Sequence, residues 1–296
     1  MRQRGAGAPP DPTIDAAVPG VPGAGHPAPR HPHRRRRTIG ALVVVALLAG
    51  GALVAARWSQ GKARPVEITD VARPTGTTLP SSPNVLRPPQ GVYRYEGSGT
   101  DELDKPPRTQ AEGPSMPGVV RHRKDGCWSF RIDYSTNHWQ RWDYCPTEGG
   151  GLDEVGGAAF QRWNFGAFTN ETTSTFDCEA PVVTAGQQPG DEWEQRCTGV
   201  STGVDGETKS AGPFHYVGTD ELTIGGERVA ALHYRRERTN SGNQDGAEQG
   251  EVWFSAETGM PLRSRHEVEA ATDTVIGEVH YTETGEWHLT SLRPES

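Results

Sequence analysis

Long apolar runs are nearly absent from this sequence. Only 33% of its 296 residues are hydrophobic, and one stretch, Ile39 to Ala56, runs 18 residues without a charge or a strongly polar group. A helical bundle is a poor fit to that composition. Catalytic signatures are missing as well. The chain has no GxSxG nucleophile elbow, no GxxxxGK phosphate loop, no HExxH helix and no EF-hand calcium loop, so none of those chemistries has its local motif. Cysteines number four and form no CxxC pair, which leaves a structural zinc site or a thioredoxin-like centre without support.

What is present is glycine and proline, 37 and 24 residues, about a fifth of the chain, as suits long tails and many turns. Residues 1–37 hold almost no bulky apolar side chains and bury too little surface to offset ordering entropy. They are expected to form a disordered cytoplasmic tail. Residues 38–57 are expected to be a transmembrane helix, since the 18 apolar residues extend roughly 27 Å, enough for a hydrocarbon core. Five arginines, Arg30 and Arg34 to Arg37, precede that segment, against Arg57, Lys62 and Arg64 after it. This imbalance places the N-terminus inside, the bulk of the chain outside the cytoplasm and Trp58 at the lipid interface. The alternative is a signal peptide cut after Ala56, where Val54 and Ala56 meet the small-residue rule. The long charged lead favours an intact signal-anchor.

Charge divides the chain in the same place. Seven arginines against two aspartates make residues 1–37 +5, so with −8 for the whole chain the remainder is −13. An acidic exterior argues against a nucleic-acid partner, which needs a clustered basic surface. Residues 58–90, rich in Pro, Thr and Ser, read as an extended stalk.

All four cysteines, Cys127, Cys145, Cys178 and Cys197, fall in the part assigned outside, where disulfides persist. Four cysteines allow three pairings, and strand register selects among them. If CWSFRIDYS and HWQRWDYC form a hairpin about Ser135 to Asn137, opposed residue numbers sum to 272. Trp128 then faces Tyr144, Phe130 faces Trp142, and Cys127 faces Cys145 on the other side. The same test on TFDCEAPVV and EWEQRCTGV opposes Cys178 to Cys197 and Val182 to Trp193.

From Gly91 onward, short β-type runs alternate with turn clusters. LTIGGERV reads as a hairpin turning at Gly225 and Gly226, and SAETGMPLR and TETGEW as two further reversals. Residues 91–296 are therefore expected to form a mainly β, antiparallel domain; a curved sheet, a half-barrel, a closed barrel and a sandwich all remain open. Within residues 213–292, Trp253, Gly259, Pro261 and Arg263 follow a pattern of a Trp-bearing strand, a Gly-x-Pro turn and an Arg-bearing return strand. In this the region resembles the C-terminal strands of LolA- and LppX-like envelope lipid-binding proteins. The resemblance implies a curved half-barrel that shelters acyl chains, although the chain has no lipobox cysteine beside its apolar segment. The whole chain also resembles uncharacterised single-pass membrane proteins of actinobacteria, a likeness that bears on location and not on activity.

Candidate site residues follow from side-chain type. Trp128, Phe130, Trp142, Tyr144 and Trp253 are candidates to line a ligand pocket, with ordinary core packing as the competing reading. His215, His233, His266, His280 and His288 read as surface imidazoles without ligand spacing. Arg235, Arg236 and Arg238 of HYRRER read as surface ion-pair formers. Asp101, Glu102, Asp104, Asp153 and Glu154 read mostly as solvated acids. No catalytic, cofactor or metal residue is assigned. The expectation is a membrane-tethered, extracytoplasmic, non-catalytic binding or interaction module for an apolar envelope ligand, its partners being the bilayer through residues 38–57 and a lipid or other envelope component. The alternative is a cell-surface hydrolase using paired carboxylates.

Overall fold

A computed structural model describes residues 63–75, 78–79, 84–274 and 277–295. The expected tail (1–37) and membrane helix (38–57) lie outside the described residues. Among those described, no helix is long and apolar enough to cross a membrane.

The chain forms β1 (Gly91–Tyr93), β2 (Tyr95–Asp104), β3 (Pro107–Glu112), β4 (Gly118–His122), β5 (Trp128–Ser135) and β6 (His138–Pro146). There follow β7 (Leu152–Asn164), β8 (Thr169–Val183), β9 (Glu192–Ser201), β10 (Val204–Ile224) and β11 (Glu227–Gly242). The last three are β12 (Asp245–Ser255), β13 (Pro261–Thr274) and β14 (Gly277–Leu289). All belong to one antiparallel sheet in which β4 to β14 lie side by side in chain order, with β1 beyond β4 and β2 then β3 beyond β14. Only Arg94 separates β1 from β2, yet the first pairs with β4 and the second with β14. One bent strand thus draws the two ends of the sheet together, and the natural twist of long strands curls the rest into a half-barrel. The Gly113 N–H donates to the Tyr134 carbonyl, and Asn137 Nδ2 donates to Gln110 Oε1. These bonds hold the β3 end against β5 and β6.

Three sequence expectations are met residue for residue. Trp128 opposes Tyr144 and Phe130 opposes Trp142, and the bridges join Cys127 to Cys145 and Cys178 to Cys197. Gly225 and Gly226, both at positive φ, turn β10 into β11. Two details differ. Val182 does not oppose Trp193, because β8 and β9 are paired only as far as Glu179 and Arg196; past that point the Trp193 indole donates to the Pro181 carbonyl instead. TETGEW is no reversal but the middle of β14. Its Gly285 serves close packing, for a Cβ there would stand 2.7 Å from His266 Cε1.

Inward-facing aromatics form the core. Tyr95 packs at 5.4 Å from both Phe130 and Trp287, Trp128 at 4.7 Å from Tyr144, and Phe214 stacks on Tyr234 at 4.9 Å. Such pairs each add about 0.5 to 1.5 kcal/mol beyond the area they bury. The described parts of the segment expected to be a stalk lie along the sheet. Val66, Leu86 and Pro88 are buried, the Trp128 indole donates to the Leu86 carbonyl, and Thr136 N–H donates to the Arg64 carbonyl. Apolar side chains at these three positions favour burial over free extension.

Candidate functional site

Alternation along each strand sends every second side chain into the hollow of the curl. Leu86, Leu152 and Met260 are buried at the end covered by residues 84–90, which form a strap along the sheet. The aromatic layer lies beside them, and beyond it a cavity of about 620 Å³ reaches the turns at the opposite end. Phe165 and Phe168, with ring centroids 4.9 Å apart, stand at that mouth. Phe168 is 60% exposed.

The floor of the cavity is charged, and its construction is visible in the register. One row across four strands reads His266 on β13, Gly285 on β14, Gly99 on β2 and Glu112 on β3. With no side chains in the two central positions, the outer two lean over them. A Cβ at Gly99 would stand 2.4 Å from Glu112 Oε2. The neighbouring row supplies Glu283 and Asp101, directly opposed, and β6 brings His138 from across the hollow. His138 Nδ1 lies 2.6 Å from Glu112 Oε1 and 3.3 Å from Asp101 Oδ2. Tyr281 Oη lies 2.7 Å from Glu283 Oε2 and 3.2 Å from Asp101 Oδ1, while His266 Nε2 lies 2.8 Å from Glu283 Oε1.

Burial and charge pull these groups apart. Loss of water pushes the Glu112 carboxyl up from 4.5 to about 7, even though it is hydrogen-bonded to His138. Burial would also raise Glu283, but His138, His266 and the Tyr281 hydroxyl hold it down at about 2. Burial would strip the proton from His138; the Asp101 and Glu283 carboxylates outweigh it and hold that imidazole well above its usual range. His266 is raised in the same way by Glu283, against its own desolvation. Side by side, then, stand a carboxyl that protonates readily and one that stays ionised.

A second charged group adjoins the first. Arg236 pairs with Glu248, and Arg238 Nη2 donates to Gln195 Oε1 at 2.6 Å, with Glu154 Oε2 3.7 Å away. The Nε atoms of both arginines are buried without a hydrogen-bond partner among the described residues.

Of the five aromatics proposed to line a pocket, Trp142 alone borders this cavity. Trp128, Phe130 and Tyr144 are buried in the aromatic core. Trp253 stacks on His233 at 4.1 Å beneath Arg263 and Arg265. The hairpin motif around it is present as expected, with Trp253 opposite Arg263 and Gly259 at φ 71° in the turn. Three readings of polar residues are corrected. Arg236 and Arg238 face the interior, not solvent, because alternation from the buried Tyr234 carries them inward. His266 is likewise interior rather than a surface imidazole, and Asp101 and Glu154 are buried. Sequence reasoning passed over His138, Glu112 and Glu283. His138 had a signal, since it shares the parity of Trp142 and Tyr144.

No family model matches this chain, and no curated protein matches it. Among solved structures, the hypothetical lipoprotein YmcC from Escherichia coli (K12) is similar at 13% identity, covering 64% of this chain and 86% of that one, with a TM-score of 0.28. A likeness that loose carries no argument about fold or function.

Proposed function

We propose that this protein is a membrane-tethered, extracytoplasmic binding module that takes an amphipathic envelope molecule into the hollow of its curled sheet. The observation that carries this reading is the cavity of about 620 Å³, charged at its floor and aromatic at its mouth. A volume in that range suits a small ligand. The floor, with Arg236, Arg238, His138 and His266 among its acids, offers charge-assisted hydrogen bonds to a polar head. Trp163, Phe165 and the exposed Phe168 offer the apolar portion a path out of the mouth. Tethering through residues 38–57, with the N-terminus inside, follows from the sequence pattern, and two disulfides accord with an oxidising compartment. The LolA- and LppX-like resemblance points toward an acyl chain as the apolar portion.

The test is native mass spectrometry of the full chain released from its host membrane in mild detergent. Retention of an amphipathic adduct, lost in Trp163→Ala, supports the reading. A bare chain that also leaves a fluorescent fatty-acid probe undisplaced and unbound overturns it.

The hydrolase reading gains one observation, the divergence of Glu112 and Glu283 in proton affinity, which is how acid and base pairs are made. Binding is preferred because Glu283 borders the cavity and Glu112 does not. A substrate in the cavity therefore meets Glu283 directly but reaches Glu112 only behind His138.

A further inference from the structure

Four side chains from four strands, Asp101 on β2, Glu112 on β3, His138 on β6 and Glu283 on β14, bring one donor atom each to within 4.8 Å of one another. All four residues are buried. From this convergence we infer a binding site for one first-row divalent metal ion, at the floor of the cavity and independent of any ligand held above it.

A separate observation points to a cation. Glu112 Oε2 belongs to a side chain that is only 1% exposed, yet it meets no hydrogen-bond donor among the described residues. The chain makes room to put it there, with glycine at 99 and at 285 where any Cβ would obstruct the carboxylate or its neighbour His266. Glu112 Oε2 lies over the Gly99 and Gly285 row beside these ligand atoms, and a buried carboxylate oxygen with no hydrogen-bond donor among the described residues is open to a cation seated there. The remaining atoms are held in place as ligands usually are. Tyr281 lies on the far oxygen of Asp101 and on Glu283, and His266 lies on Glu283. Such outer contacts fix carboxylate orientation.

The donor set indicates which ion. Three carboxylates and one imidazole suit manganese, iron or zinc, whereas calcium asks for six to eight oxygens and makes little use of nitrogen. Ligand atoms about 2.1 Å from a metal stand roughly 3 to 3.5 Å apart. Seating the ion therefore requires the 2.6 Å contact between His138 Nδ1 and Glu112 Oε1 to open by about half an ångström, the metal replacing the proton those atoms share. Entry is from the cavity, which His138 and Glu283 both border.

The experiment is a titration of the purified full chain, stripped with chelator and returned to chelator-free buffer, with free Mn²⁺ followed by electron paramagnetic resonance. The expected result is one Mn²⁺ per chain, displaced by Zn²⁺ but not by equal Ca²⁺, with affinity at least tenfold weaker in Glu112→Gln and in Asp101→Asn. Absence of stoichiometric uptake, or uptake unchanged in both variants, shows a cluster that shares protons only and overturns the inference. Should the variants fail to fold, Mn²⁺ added to the unmodified chain decides the matter: selective broadening of the His138 and His266 imidazole resonances supports the site, and its absence overturns it.

Discussion

His138 Nδ1 and Glu112 Oε1 stand 2.6 Å apart across the hollow of the sheet, joining β6 to the edge strand β3. Burial of the Glu112 carboxyl, which the His138 contact only partly offsets, makes the closure of the curl depend on protonation. Glu112, raised from 4.5 to about 7, contributes stability that is complete below pH 4.5 and is lost as pH rises through about 7. Glu283, depressed from 4.5 to about 2, has the opposite sign: its contribution is present above pH 4.5 and is lost as pH falls toward 2. Melting temperature measured in chelator is therefore expected to peak near pH 5 and to decline by several degrees toward pH 8. Glu112→Gln should remove the decline between pH 4.5 and 7 while keeping the acid limb. An unchanged alkaline decline in that variant would place its origin elsewhere.

Gly285 is expected to tolerate no side chain. An added Cβ would meet His266 Cε1 at 2.7 Å and Nε2 at 3.0 Å, so the ring that holds Glu283 must shift. Gly285→Ala should cost about 1 to 3 kcal/mol by overpacking, read from denaturant melts. An ordinary surface glycine of a strand would gain stability from the same change.

The two bridges close loops of 18 and 19 residues by sequence separation. Replacing Cys127 and Cys145 together by serine should cost around 3 kcal/mol in the loop-entropy account, and replacing Cys178 with Cys197 a similar amount. Equilibrium unfolding of each double variant checks this. A loss well under 1 kcal/mol would mean that the strands alone hold register.

Trp128 carries both core and strap. Its side chain is fully buried against Tyr144, and its indole donates to the Leu86 carbonyl. Trp128→Ala should cost about 3 to 5 kcal/mol as a cavity-forming change. It should also raise hydrogen exchange along residues 84–90. Trp128→Phe should restore most of the packing but not the strap protection, which separates the two roles.

Much of the architecture was legible because it depends on local alternation. The sum of 272 that pairs Trp128 with Tyr144 needed no knowledge of the rest of the fold, since a hairpin fixes the distance between its own strands. The same reasoning failed at Gly285. A glycine between polar residues looks like a turn when its neighbours in space are unknown, and here it answers to His266 one strand away. It failed again at Arg236 and Arg238, where a run of charges suggested solvent while strand parity with Tyr234 carried both inward.

By itself the sequence determined the β class, the strand pairing about both disulfides and the divided charge, because each rests on periodicity or composition within short reach. Only the tertiary structure decided that the sheet curls on itself, and with that the meeting of Asp101 and Glu112 of the β2–β3 hairpin with His138 of β6 and Glu283 of β14. The reason is geometric: alternation says which residues share a face, but the curvature of the whole sheet sets which of them meet across the hollow.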